Sequence, residues 1–340
     1  MPDAISAEDA IGAFYIDERL FATIPGLRGR LVRALPYRLA QLLEVLLRGR
    51  DYDAVFTWSD APAIAVAALM RMWPRRPAHV ALLYWPSKPK KAIAWGFVQR
   101  GVDRFILWPP LQRRFLQERL GVAPGRFVDV RPPVDTRFWR PIEAPQERIC
   151  AVGQEMRDYG TLVAALAPLS IPCHIAVGAS VFATTSERWW QDSLTGGLPA
   201  HITVGPKPYS ELRDLYASSR FMVVPLLPSD MDNGITAILE AFAMGRAVIV
   251  TESPGQVGVL EEGVNCLRVP PHDPLALREA IVRLWEDRSL CARLGAAGRA
   301  LVLERHGLDQ WRAALVRAVS EAVAVRAQAA PRHGAPPRLD

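Results

Sequence analysis

In the segment SDMDNGITAILEAFAMGRAVIV, residues 229–250, a hydroxyl and a carboxylate, Thr236 and Glu240, stand four residues apart. From Ile235 the apolar residues Ile235, Ile238, Leu239 and Phe242 fall at i, i+3, i+4 and i+7, the spacing of a helix with one face towards a core. Thr236 and Glu240 then stack on a second face. The remainder of that side is small or apolar (Ala237, Ala241, Ala243, Met244), so Glu240 reads as a carboxylate lining a cleft. Asp232 and Asn233 are residue types that cap helix N-termini, and Gly234 lets a backbone approach a ligand closely. Unpaired N–H groups and the helix dipole at such an end favour an anion, often phosphate. A phosphate at the tip, a hydroxyl at Thr236 and a carboxylate one turn deeper would suit a nucleoside diphosphate followed by its ribose. A capped helix with one exposed glutamate accounts for the same residues.

The elements around this segment alternate. Helix-like RLVRALPYRLAQLLEVLLRG precedes the strand YDAVFTW, and APAIAVAALMRM precedes AHVALLYW. KKAIAWGFVQRG leads to DRFILW, and LQRRFLQERLG to RFVDVRP. A proline-rich stretch follows at residues 131–148, which reads as a stiff linker. The alternation then restarts with RICAVG, a helix from Tyr159, CHIAVG, a helix near Trp189, HITVG, YSELRDLYASS, FMVVPLL, the segment above and AVIVT. Continuously apolar strands separated by helices indicate parallel sheets covered on both faces. The expectation is α/β, two doubly wound units facing a cleft, with ligands beyond the carboxyl ends of the strands. Helical segments close the chain, and the tail from Gln328, rich in Pro, Ala and Arg, reads as disordered.

At 340 residues, half of them hydrophobic and 22% charged, the chain is long enough for two domains with their own cores. No apolar run reaches the length of a membrane span, and the opening MPDAISAEDA lacks the apolar core of a secretory signal. Cys150, Cys173, Cys266 and Cys291 have neither CxxC nor metal spacing, and read as reduced core residues of a cytoplasmic protein. The six histidines form no HxxxH pair, so no metal site is expected. The net charge of +6 is carried mainly by arginine, with no basic run interleaved with aromatics as an RNA-binding sheet would need. An acidic small substrate or an anionic membrane surface fits the charge, and no nucleic-acid partner is expected.

Residues 148–310 resemble the nucleotide-binding half of the retaining family-4 glycosyltransferases with the GT-B fold. AVGQEMRDYGTLVAAL, GPKPYSELRDLYASSRFMVVPL, NGITAILEAFAMGRAVIVT and EEGVNCLRVPPHDPLALREAIVRL occur in that family's order, and PPVDTRFWRP matches the segment just before its second domain. The first half matches only in layout. The resemblance implies an acceptor-binding Rossmann-like domain at 1–140 and a nucleotide-sugar-binding one at 141–310. A helix at 311–327 would pack back towards the first domain, with a disordered tail at 328–340. It implies transfer of a sugar from a UDP-, GDP- or dTDP-sugar to a glycan, lipid-linked or small-molecule acceptor, with retention and without an essential metal or other cofactor. The expected location is cytoplasmic, with peripheral contact at the inner face of the cell membrane open.

By position, Glu240 matches the glutamate that bonds the donor ribose, and Gly234, Ile235 and Thr236 match the diphosphate cradle, with Asn233 and Lys207 also on the donor side. Three features depart from the family. The first glutamate of its E-x7-E pair is Asp232, the first cation of its basic pair is Gln154, and no opening strand with a glycine-rich loop precedes Arg30. Arg157 is the nearest cation for the diphosphate, and with Glu240 forms the expected catalytic pair. All three departures favour a second reading, a non-catalytic partner that keeps the fold, with or without nucleotide binding.

YWPSKPKK occupies the region where related enzymes often place a histidine near the acceptor; it holds none, and Ser87 and Lys88 could touch the acceptor or the donor phosphate, with a solvated loop as the alternative. KPKKAIAWGFVQR mixes lysines with Trp95 and Phe97 as an interfacial helix would, or packs as an ordinary core helix.

Overall fold

The computed structural model describes residues 12–177, 197–256 and 258–329. The helix expected near Trp189 and most of the C-terminal tail lie outside them. Three helices open the described chain: α1 Glu18–Thr23, α2 Gly26–Ala34 and α3 Tyr37–Arg48. The sequence predicts α2 and α3 as one helix, but Leu35 turns extended with ψ 150°. Pro36 follows it, disfavouring helical geometry at Leu35 and supplying no N–H to bridge the break.

A three-stranded parallel sheet comes next, β1 Ala54–Trp58, β2 Ala78–Leu83 and β3 Arg104–Leu107, in that order. Parallel neighbours need long crossovers. Helix α4 (Asp60–Met72) joins β1 to β2, and α5 (Pro89–Val98) joins β2 to β3. Helix α6 (Pro110–Leu120) follows β3. Trp95 of α5 is fully buried with Phe105, whereas Ile93 and Phe97 point outward. The strand expected at RFVDVRP reduces to one bridge between Phe105 and Phe127. The prolines that follow have no N–H with which to extend a ladder.

A six-stranded parallel sheet forms the second unit. Its strands are β4 Arg148–Val152, β5 Cys173–Ala176, β6 Ile202–Gly205, β7 Ser219–Val224, β8 Ala247–Thr251 and β9 Cys266–Val269. They are arranged β6-β5-β4-β7-β8-β9. Helices α7 (Tyr159–Leu166), α8 (Tyr209–Ser218), α9 (Ile235–Ala243), α10 (Pro274–Glu286) and α11 (Arg288–Arg305) cover it. Residues alternate along each strand between two cores. Met222 and Val224 of β7 face the core containing α9, and Phe221 and Val223 face the one containing α7 and α10.

The last helix, α12 (Leu308–Ala329), lies on the first sheet, with Trp311, Leu315, Ala318 and Ala322 packed on Ala78, Val80, Leu82 and Ile106. Fully burying side chains such as Trp311 and Leu315 contributes on the order of 2 kcal/mol each. Helix α12 runs past the boundary expected at 327, so the first residues of the expected tail are helical. The chain thus crosses between the units twice, and the crossings touch. Val134 N–H donates to His306 O at 2.8 Å, and His306 Nδ1 lies 2.8 Å from Pro132 O.

Candidate functional site

From β4 the chain builds outward through β5 and β6; it then returns to β7 beside β4 and builds the other way through β8 and β9. The reversal opens a crevice beyond the carboxyl ends of β4 and β7, the place where open parallel sheets bind ligands. Two loops meet there, 153–158 after β4 and 225–234 after β7. They are joined as a short antiparallel pair. Leu227 N–H donates to Met156 O at 2.9 Å, Asp158 N–H donates to Pro225 O at 3.0 Å, and Arg157 bridges Leu226.

This pairing fixes Arg157. Its guanidinium donates to Val152 O from Nε (3.2 Å) and Nη2 (3.1 Å), and to Glu155 O from Nη1 (2.7 Å). The space it fills exists because residue 153 is glycine: φ is +118°, and a Cβ there would overlap the guanidinium. Tyr159 Oη donates to Gly153 O at 2.6 Å and holds the turn from the other side. Burial lowers the Arg157 pKa from the ordinary arginine value, opposed by the Tyr159 and Tyr216 hydroxyls. Gln154 is exposed at the tip of the same loop.

Gly234 stands opposite. The sequence places the helix cap at Asp232 or Asn233; the structure places it at Gly234, with φ +87° and no side-chain cap. That left-handed conformation favours glycine, and a Cβ would lie 2.9 Å from Val224 Cγ1 and 3.5 Å from Arg157 Nη2. Ile235 N–H donates to Asp232 O at 3.2 Å, and the other first-turn N–H groups of α9, close to the Arg157 guanidinium, have no capping side chain. Asn233 turns away, its Nδ2 donating to Ser229 Oγ at 2.6 Å. Asp232 is buried, and its Oδ2 has no hydrogen-bond partner among the described residues. Burial pushes its carboxyl up to about 6.

Along α9, Ile235, Ile238, Leu239 and Phe242 are buried as their spacing requires, but so are Ala237, Ala241, Ala243 and Met244. The small face packs rather than lining a cleft: Ala237, Ala241, Ala243 and Met244 belong to the same buried cluster as Val302 of α11. Thr236 is exposed, and Glu240 is only 7% exposed. Glu240 Oε2 accepts from Tyr216 Oη at 3.1 Å. Burial first, and then the Glu240 carboxylate, push the Tyr216 phenol well above its ordinary value, so it remains the donor. Lys207, two residues before α8, is paired with Glu211 at 3.1 Å.

The first unit reaches the same loop. Ser87 Oγ donates to Asp230 Oδ2 at 2.6 Å, and Gln112 Nε2 donates to the same oxygen at 2.7 Å. Gln112 is fully buried and accepts from Ser87 N–H at 3.1 Å. Lys88 instead stacks over the Trp85 ring at 3.9 Å. The structure thus gathers Gln154, Arg157, Asp232, Asn233, Gly234, Ile235 and Thr236 at one crevice, with Ser87 touching its loop. Glu240 is one turn below, and Lys207 and Lys88 point their charges elsewhere. Tyr216, Asp230, Gln112 and Gly153 were not legible as site residues. Gly153 had the clearest signal, a glycine at the end of a buried strand.

Among the described residues no three His, Cys, Asp or Glu side chains converge as a metal site would require, and no helix is long and apolar enough to cross a membrane.

Solved structures share this architecture. Sucrose-phosphate synthase from Thermosynechococcus elongatus superposes with a TM-score of 0.72 at 17% identity, over 92% of this chain and 81% of its own. Anabaena HepE, solved with UDP and glucose, also gives 0.72, at 15% identity over 87% of this chain and 83% of its own. The fold is GT-B. Residues 159–287 match the family described as glycosyl transferases group 1, a span that holds Lys207, Asp232–Thr236 and Glu240 but starts after Arg157. A D-inositol 3-phosphate glycosyltransferase of Streptomyces bingchenggensis is 34% identical over 118 residues, 35% of this chain. An exopolysaccharide phosphotransferase of Streptomyces coelicolor is 25% identical over 258 residues, 73% of this chain. The chain spans about a quarter of the length of these curated relatives. In this GT-B fold the crevice between β4 and β7 belongs to the second unit, and its rim faces the first.

Proposed function

We propose that the protein transfers a sugar from a nucleoside-diphosphate sugar, such as a UDP-, GDP- or dTDP-sugar, to an acceptor hydroxyl with retention of configuration. One observation carries this reading. The N-terminus of α9 without a side-chain cap, a glycine in the left-handed region and a partly buried guanidinium meet at the point where the strand order reverses. That combination offers a diphosphate backbone N–H groups, a helix dipole and a fixed cation together. HepE, of the same fold, was solved with UDP and with UDP-glucose, which supports a nucleotide sugar as donor here.

In the proposed reaction the bond from the anomeric carbon to the diphosphate oxygen breaks, and the acceptor oxygen bonds that carbon from the same side. The acceptor proton passes to the departing diphosphate. Arg157 and the α9 N-terminus stabilise the charge that builds on the leaving group. Glu240 holds the ribose, with Tyr216 fixing the orientation of its carboxylate. Ser87 places the first unit, and the glycan, lipid-linked or small-molecule acceptor, over the crevice. Reaction in the cytoplasm, without an essential metal, completes the proposal.

The second reading is a nucleotide-binding partner without transfer activity, favoured by Lys207 being paired with Glu211 and by Gln154 standing where a cation is expected. Nucleoside diphosphate release, measured across a panel of donors and acceptors, separates the two. The anomeric configuration of the product, read by proton NMR, tests retention. Binding without release across the panel would favour the second reading.

A further inference from the structure

The outermost layer of the first unit has a composition that the crevice does not use. Residues 26–50, which form α2 and α3, contain six arginines and a single carboxylate, Glu44. Glu44 is fully buried and already neutralised, by Arg28 at 2.6 Å and Arg48 at 2.8 Å. Arg33 is also engaged, donating to the carbonyls of Phe21 and Ile24 at the end of α1. Arg30 and Arg38 are exposed and have no ion-pair partner among the described residues.

The same layer exposes leucines that a core would hide. Leu27 is 83% exposed and Leu31 55%, one turn apart on α2; Leu39 and Leu46 lie seven apart on α3, with Leu47 beside them, all about half exposed. The opposite sides of both helices are anchored. Val32 and Ala40 pack with Phe21 and Ile24, and Val45 packs on Val66 and Met70 of α4. The outward leucines are therefore a fixed face of a folded layer. Helices that present leucine and arginine together outward are suited to the boundary between acyl chains and anionic headgroups.

We propose that α2 and α3 seat the protein on an anionic bilayer surface, with Leu27 and Leu31 entering the acyl boundary and Arg30 and Arg38 meeting lipid phosphates. Charge decides between the available occupants. A second copy docked through this face would set its uncompensated arginines against their own counterparts. An anionic lipid surface complements them. Asp17, which caps α1, and Glu18 in its first turn lie near Tyr37 and mark the edge of the basic face. The proposal is independent of sugar transfer, because binding to lipid needs no donor.

Sedimentation of the full chain with vesicles tests it. Protein should pellet with mixed phosphatidylcholine and phosphatidylglycerol vesicles, and at least about tenfold less with phosphatidylcholine alone. Binding should weaken as salt is raised. The pairs Arg30→Gln with Arg38→Gln, and Leu27→Ser with Leu31→Ser, should each lower the partition coefficient by about tenfold or more. Circular dichroism melting checks that both variants remain folded, which their exposure favours. Equal binding to neutral and anionic vesicles, or unchanged binding by both variants, overturns the proposal. So does a wild-type dimer in analytical ultracentrifugation that the leucine pair abolishes, since that would assign the face to a second copy.

Discussion

Ser87 and Asp230, 143 positions apart in the chain, meet at 2.6 Å across the two α/β units. Gln112 donates to the same carboxylate oxygen, so two side chains of the first unit hold the loop that leads into Asp232, Asn233 and Gly234. A hydrogen bond to a charged group is worth about 1.5–3 kcal/mol, less where solvent competes. We expect Asp230→Ala to remove both side-chain contacts, leaving only Gln112 Nε2 donating to the residue-230 carbonyl at 3.1 Å, and to let the units move apart. Small-angle X-ray scattering should show a larger radius of gyration for the variant. An unchanged scattering profile would mean that the remaining Gln112 bond to the residue-230 carbonyl, α12 and the linker set the separation.

Glu240 is expected to govern nucleotide affinity. Two hydrogen bonds from a ribose to a charged carboxylate would contribute about 1.5–3 kcal/mol each. Glu240→Ala should therefore weaken nucleoside diphosphate binding at least tenfold by calorimetry. Tyr216→Phe removes the donor at 3.1 Å but leaves the carboxylate, so a smaller loss is expected. Undiminished affinity in Glu240→Ala would leave Glu240 as a buried structural carboxylate satisfied by Tyr216.

Asp232 ties the crevice to stability. Its carboxyl rises from 3.8 to about 6 because burial disfavours the charged form. At pH values below both, folded and unfolded chains alike carry the proton and no penalty arises. As pH rises from about 4 to about 6 the unfolded chain releases its proton first, so stability falls. The full penalty, about 3 kcal/mol at 1.36 kcal/mol per pKa unit, stands above about pH 6. Asp232→Asn should flatten that fall and unfold at higher urea than the wild type at neutral pH. Parallel urea curves for the two proteins from acid to neutral pH would contradict the assignment.

Patterns confined to neighbouring residues were legible in the sequence. The buried strands β4, β7 and β8, the stripe along α9 and the carboxyl-end position of residues 232–236 follow from period and length alone. Contacts between distant segments were not. The Ser87–Asp230 pair links two loops, and Tyr216 reaches Glu240 from another helix. Period also misjudged the small face of α9. Alanines mark an open cleft or a buried contact equally well, and here all of them lie in a buried cluster with Val302 of α11. The cap lies at Gly234 rather than at Asp232 or Asn233, with φ +87°, a left-handed conformation that glycine adopts without a Cβ penalty.

Arg157 separates an enzyme from a binding protein. With Gln154 on the same loop uncharged, and Lys207 paired with Glu211, Arg157 supplies the side-chain charge nearest the α9 N-terminus. Its guanidinium is already fixed against Val152 O and Glu155 O, so little reorganisation is needed when charge develops. An interaction that strengthens as the sugar–phosphate bond breaks lowers the barrier more than it tightens the ground state. Arg157→Ala should therefore reduce turnover by about a hundredfold, while nucleotide affinity falls less. Arg157→Lys keeps the charge but loses the fork that holds two carbonyls, and should fall between the two. Because those carbonyls also hold the loop, thermal melting of both variants must accompany the kinetics. Equal turnover in a folded Arg157→Ala variant would remove this guanidinium from the reaction and leave the α9 N-terminus to carry the diphosphate alone.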